Sequence, residues 1–159
     1  MAMQPASTEI ATRTASIVEE FRSLEGPLLP ILHGVQHAFG HVPQEALPVI
    51  ADALNISRAE VHGVVTFYHD YRKEPAGRHV LKLCQAEACQ SMGSDAIAAR
   101  VKQLLGIDFH QTTKDGSVTL EPVYCLGLCA CSPAALLDGE PIGRLDDDRI
   151  DEIVEAVRS

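Results

Sequence analysis

Residues 84–131 read CQAEACQSMGSDAIAARVKQLLGIDFHQTTKDGSVTLEPVYCLGLCAC and hold all five cysteines of the chain. Four residues separate Cys84 from Cys89, thirty-five lie between Cys89 and Cys125, three separate Cys125 from Cys129, and one separates Cys129 from Cys131. Two close groups of thiols, joined by a segment long enough to fold back, meet the needs of a four-thiolate site. His79–Leu83 has a strand pattern that runs into Cys84, and Ser117–Tyr124 has a second that runs into Cys125. Between them Ile97, Val101, Leu104 and Leu105 repeat at helical spacing over residues 94–105, up to Gly106, and Lys114-Asp115-Gly116 signals a turn. The helix brings the chain back for the second strand, so both cysteine groups are expected at neighbouring strand ends on one sheet edge.

Downstream, Ala134–Leu137 reads as a third strand, Asp138-Gly139 as a hairpin turn and Pro141–Leu145 as the returning fourth strand. Asp146, Asp147 and Asp148 place negative charge at a helix N-terminus, and Ile150, Ile153, Val154 and Val157 give that helix one apolar face. The order is β-α-β-β-β-α. Upstream, residues 1–8 are polar and expected to fray. Ile10, Thr14, Ile17, Val18, Phe21 and Leu24 mark a first helix, stopped by Gly26-Pro27. Pro27 suits the start of a second helix, which continues through Leu28, Ile31, Leu32, Val35 and Phe39 to a capping Gly40. Pro43 is expected to open a third helix carrying Leu47, Ile50 and Leu54, bent at Pro48 and ended by Asn55. Ser57 and Glu60 form a capping box for a fourth helix through Val61, Val64, Val65 and Tyr68. The fold class is therefore α/β: a four-helix bundle with its connector over residues 1–77, then an α/β domain over residues 78–159.

With 159 residues and 46% hydrophobic content the chain can bury a core. Thirteen Lys and Arg against 22 Asp and Glu give a net charge of -9, which speaks against nucleic acid and against anionic membranes. No apolar run reaches the length of a bilayer span, so no direct membrane contact is expected. Met1–Glu9 lacks the features of a secretory signal, which points to a reducing, cytoplasmic setting. There, cysteines more often bind metal or do chemistry than form disulfides, and an odd count fits a disulfide framework poorly.

Several chemistries compete for the cysteines. A [2Fe–2S] cluster needs thiolates with nearby amide donors. Gly93 and Gly127 are expected to let backbone approach such a group closely, with Ala86, Ala88 and Ala130 as small neighbours. Structural zinc more often has two residues between its cysteines. Redox disulfide chemistry favours Cys-x-x-Cys, which is absent, although Cys129-Ala130-Cys131 is close in sequence. The wide central gap disfavours a [4Fe–4S] cluster. Cys84, Cys89 and Cys125 stand out as ligands, while spacing alone leaves Cys129 and Cys131 in competition for the fourth place. His33, His37 and His41 lie four apart, but Gly40 is expected to end the helix before His41, leaving them as ordinary surface. His62, His69, His79 and His110 show no ligand spacing, and His79 is a candidate to bond toward a partner. Tyr68, Tyr71, Arg72 and Lys73 either face a partner or solvate a linker. No catalytic constellation is evident.

The Cys-x4-Cys and Cys-x3-Cys groups, with the preceding bundle and the joining segment GVVTFYHDYRKEPAGRHVLKLC, resemble the thioredoxin-like [2Fe–2S] ferredoxin family, over roughly residues 15–158. This is the family of the 24-kDa subunit of respiratory NADH dehydrogenase. CQAEACQSMGSDA, DFHQTTKDGSVTLEPVYCLGLCACSPA and DGEPIGRL look most like the gamma subunits of NAD-dependent, molybdenum-containing formate dehydrogenases. The resemblance implies a thioredoxin-like second domain with Cys84, Cys89, Cys125 and Cys129 as cluster ligands. Cys131 is then a non-ligand and a small buried filler, and the Ser132–Pro133 bond is cis. It further implies an electron-transfer subunit without substrate-transforming residues of its own. FMN and NAD belong to a beta-type partner, and the molybdenum cofactor to a larger alpha-type subunit. The corresponding subunit of a respiratory NADH dehydrogenase or NAD-reducing hydrogenase is the alternative. A free ferredoxin shuttle and a zinc-stapled interaction protein are further ones.

Overall fold

A computed structural model describes residues 7–158. The chain divides into two compact units, Met1–Pro75 and Ala76–Ser159. The expected frayed start lies outside the described residues up to residue 6. Ser7 and Thr8 already belong to the first helix, a departure from that expectation.

The first unit contains helices α1 (Ser7–Phe21), α2 (Leu28–Phe39), α3 (Ala46–Leu54) and α4 (Arg58–Phe67). Their apolar stripes close on one core that includes Ile17, Ile31, Leu32, Val35, Ile50 and Val61. At Gly34 a side chain would stand 2.7 Å from the Cγ2 of Ile17, so glycine is what lets α1 and α2 approach there. Left-handed residues end α2 at Gly40 and α3 at Asn55, as the sequence indicates. Ser57 and Glu60 form the full capping box of α4. The bend expected at Pro48 rested on a helix opening at Pro43. The helix instead opens at Ala46, which makes Pro48 its third residue, where the missing N–H would have had no intrahelical partner. Tyr71 is buried in this core, with its ring against His33 and its hydroxyl donated to the Leu29 carbonyl at 3.3 Å. It therefore neither faces a partner nor solvates a linker, whereas Phe67 and Tyr68 are exposed.

The second unit is built on a five-stranded sheet of order β2-β3-β1-β4-β5. Its strands are β1 (His79–Cys84), β2 (Gln111–Thr112), β3 (Val118–Val123), β4 (Ala135–Leu137) and β5 (Glu140–Ile142). Only β1 and β3 are parallel, and every other pair is antiparallel. The crossover between them carries α5 (Glu87–Ser91) and α6 (Ser94–Leu105), and the chain closes with α7 (Asp147–Arg158). Leu81, Leu83, Val118 and Leu120 from the sheet pack with Val101 of α6 and with Ile150 and Val154 of α7.

Two elements were not foreseen, α5 and β2. Each is too short to show a period: five residues in α5, and two exposed ones in β2. Pro122 is tolerated in a strand flanked on both sides because of its phase. The Leu120 and Val118 carbonyls face the β2 side, where His110 and Thr113 donate to them. Pro122 shares that phase but lies beyond the last pair, Gln111 with Leu120, so no ladder bond is lost. Asp138 and Gly139, with φ of 53° and 92°, make the expected two-residue hairpin turn. His79 bonds within the chain, its Nδ1 2.7 Å from Asp138 Oδ2, not toward a partner. The other Asp138 oxygen accepts the Val80 amide at 2.7 Å, which ties the hairpin tip to the start of β1. Asp146 caps α7 by accepting the Arg149 amide.

Candidate iron–sulfur site

The parallel pairing of β1 with β3 sets Cys84 opposite Val123, so Cys84 and Cys125 leave the sheet at adjacent C-terminal strand ends. The antiparallel β4 starts at that same edge. The Cys84 amide donates to the Ala134 carbonyl at 3.0 Å, and the Gln85 amide to Val123 at 2.8 Å. The 3-10 turn Cys129–Cys131 therefore precedes β4 directly over the end of β1. Strand order alone thus gathers the cysteine loops at one edge.

Burial separates the thiols into two kinds. Cys84 and Cys89 are buried, packed with Ala134 and flanked by Ala86, Val123, Leu126 and Leu128. Cys125 and Cys129 are exposed, their sulfurs 4.0 Å apart. Cys125 has φ of +88°, unusual for a residue with a side chain and of the kind that concentrates at functional sites. Its sulfur accepts the Gly127 amide at 3.4 Å. Among the described residues, no three His, Cys, Asp or Glu side chains converge on a single-ion position; this includes His33, His37 and His41.

Electrostatics links the thiols across the loops. Burial pushes the Cys84 thiol up. The Ala86 amide, the Cys89 thiol and the amides of Cys125 and Leu126, all donated to the Cys84 sulfur, outweigh that and leave its pKa below the ordinary value. Cys129 moves the other way. Its hydrogen bond with Cys125, the negative charge there, burial and the charge of Cys89 all raise its pKa. A site with amide donors at one sulfur and mutual thiolate repulsion at another favours a bound cation, which removes the repulsion and keeps every thiol deprotonated. The donor set therefore fits an iron–sulfur group.

Cys131 differs from the expectation of a small buried filler. It is partly exposed at the end of the turn, with Gly143 packed close to its Cβ. Its carbonyl accepts the Arg144 amide at 2.6 Å. The Ser132–Pro133 bond is cis. A Cβ at Gly93 or Gly127 would meet no protein atom within 4 Å, and φ values of +92° and +75° favour glycine at both. A tight contact between protein atoms occurs at Gly143, where a Cβ would stand 2.7 Å from Cys131 Cβ. Sequence reasoning passed over Gly143 and also Ser132, whose hydroxyl lies 3.6 Å from the Cys89 sulfur. A polar residue between Cys131 and Pro133 was the available signal for Ser132; Gly143 carried none.

The family described as thioredoxin-like [2Fe–2S] ferredoxin matches residues 14–158, and the chain belongs to it. The chain is 36% identical over 148 residues to an NADH-quinone oxidoreductase component of Pseudomonas aeruginosa, covering 91% of this chain and 89% of that one. It is 30% identical over 137 residues to the NADP-reducing hydrogenase subunit HndA of Solidesulfovibrio fructosivorans, covering 86% and 80%. Among solved structures, an NAD+-reducing [NiFe]-hydrogenase in the air-oxidised state matches with a TM-score of 0.71 at 27% identity. That match covers 82% of this chain but only 22% of the larger one. The relatives are thus components of oxidoreductase complexes of the NADH-dehydrogenase type, and the thioredoxin-like fold agrees with theirs. None of these three relatives is named as a formate dehydrogenase. Among the described residues no helix is long and apolar enough to cross a membrane.

Proposed function

We propose that this chain is the one-electron carrier of an NADH-dehydrogenase-type complex, with a [2Fe–2S] cluster on Cys84, Cys89, Cys125 and Cys129 and Cys131 as a non-ligand. The observation that carries the reading is the meeting of a buried thiol pair and an exposed thiol pair at the ends of two adjacent parallel strands. The Cys125 and Cys129 sulfurs stand 4.0 Å apart and the Cys89 thiol reaches the Cys84 sulfur, a pairing that supports a binuclear centre over a single zinc ion. When bound, the cluster supplies reversible one-electron chemistry. The chain's own residues hold it, shield Cys84 and Cys89 from water, and direct amide groups at sulfur, the levers that set its potential. Cys125 and Cys129 leave the outer side open to a partner, read here as a cytoplasmic subunit that binds FMN and NAD. The helical unit serves as the docking part that a free shuttle would not need.

The names of the relatives favour a respiratory NADH dehydrogenase or an NAD(P)-linked hydrogenase as the whole assembly. A second reading, a formate dehydrogenase with a molybdenum-containing alpha-type subunit, rests on the likeness carried by residues 84–96, 108–134 and 138–145. Affinity purification of the tagged chain from its own host tests both. A flavoprotein partner with NADH oxidation supports the general reading, and isolation of an iron-containing chain without any flavoprotein overturns it. Molybdenum and formate-dependent NAD reduction in the eluate select the second reading, and hydrogen- or quinone-dependent activity the first.

A further inference from the structure

Ser132 is buried, 9% exposed, and its side chain reaches from the Cys129 turn to the loop that carries Cys89. Its hydroxyl donates to the Cys129 carbonyl at 2.8 Å, and its oxygen stands 3.6 Å from the Cys89 sulfur, within hydrogen-bond range for sulfur. One hydroxyl proton thus serves the Cys129 loop, while the lone pairs face Cys89. A cysteine bound to iron has no proton to donate. With Cys89 as a ligand, the oxygen–sulfur pair keeps only one hydrogen, that of Ser132. A lone pair held against a buried, negatively charged sulfur is unfavourable, whereas an O–H donated to it makes a charge-assisted bond. A hydroxyl turns about one torsion without moving the backbone, and the Cys129 carbonyl stands at the edge of an exposed turn where water can replace the lost donor.

We propose that Ser132 is a positioning residue for the electron carrier: its hydroxyl turns from the Cys129 carbonyl to the Cys89 sulfur and raises the affinity of the site for an electron. The inference rests on the ligand assignment above. The direction follows from charge. An added electron makes the sulfurs more negative, so a donor aimed at one of them stabilises the reduced state more than the oxidised state. Such a difference is a fraction of one charge-assisted bond, which corresponds to roughly a three- to tenfold change in the ratio of reduced to oxidised protein at a fixed poise. The tenfold end is a shift of about 59 mV for one electron.

The test compares wild type, Ser132→Ala and Ser132→Thr in the full chain, each reconstituted anaerobically and titrated potentiometrically. Electron–nuclear double resonance of the reduced proteins after brief transfer to deuterated water provides a second readout. The expected result is a lower potential and one missing exchangeable deuteron in Ser132→Ala, with both restored in Ser132→Thr. Equal potentials and equal deuteron couplings in wild type and Ser132→Ala overturn the proposal while leaving the cluster assignment intact. Wild type without iron and sulfide overturns the cluster assignment itself. If Ser132→Ala takes up no cluster, wild type and Ser132→Thr decide: a shared fast-exchanging deuteron supports the proposal, and its absence in wild type overturns it.

Discussion

Replacing Gly143 with alanine places one methyl group where the turn bearing Cys129 leaves no room for it. The new Cβ would stand 2.7 Å from Cys131 Cβ and 2.9 Å from the Cys131 carbonyl oxygen. The second neighbour is backbone and the first is fixed directly to it, so no side-chain rotation relieves the contact. Either β5 or the Cys129–Cys131 turn must move, and the bond from the Arg144 amide to that same carbonyl lies between them. Loss of that bond costs about 1 kcal/mol, and overpacking of this kind adds about 1–3 kcal/mol. For a unit of the size of Ala76–Ser159, even 2 kcal/mol lowers the melting temperature by roughly 8 °C or more. Gly139→Ala is the matched control. At φ of +92°, with no atom within 4 Å, it strains a turn by about 1–2 kcal/mol without pressing on the cysteine turn. Thermal unfolding followed by circular dichroism and by visible absorption separates the two effects. Gly143→Ala should lose both stability and bound iron, and Gly139→Ala stability alone. Gly143→Ala with wild-type iron content and wild-type melting would refute the packing argument.

Leu120, fully buried in the interior strand β3, should cost about 2–5 kcal/mol when cut to alanine, seen by calorimetry in the transition of the second unit only. Ser57→Ala removes half of the α4 capping box and should destabilise the helical unit by about 1 kcal/mol in urea, leaving iron content unchanged. Hydrogen bonds from the Ser57 amide and then its hydroxyl lower the pKa of Glu60. Its contribution is therefore fully present above the ordinary glutamate pKa and fades as pH falls through the lower folded value; Glu60→Gln should flatten that acid dependence. At Asp138, burial raises the pKa, but His79 and the Val80 amide together lower it further. A nuclear magnetic resonance titration of its carboxyl should have a midpoint below about 3.9, and a midpoint above that value would show that the hairpin tip is not clamped.

The strands flanking the cysteines and the crossover helix were legible because each has a period, apolar at every second or at every third and fourth residue. The convergence of the loops was legible for the same reason, since parallel neighbours joined by one crossover end at one edge. The capping box and the two left-handed helix ends were legible because Ser57, Glu60, Gly40 and Asn55 act through local hydrogen bonds and local φ. What sequence could not give depends on distant partners. The 3.6 Å approach of Ser132 to Cys89 joins residues forty-three apart. The contact of Gly143 with Cys131 exists only after β5 has paired with β4. Pro48 shows a subtler limit: a shift of three residues in the start of a helix turns an expected bend into a tolerated first-turn proline.

The ligand assignment is tested most directly by iron and acid-labile sulfide analysis of anaerobically prepared protein, combined with electron paramagnetic resonance of its reduced form. Iron and sulfide in equal amounts and one rhombic binuclear signal are expected, kept in Cys131→Ser and abolished or distorted in Cys129→Ser. A colourless, zinc-containing protein, or a signal that survives loss of Cys129 and disappears with Cys131, would contradict it.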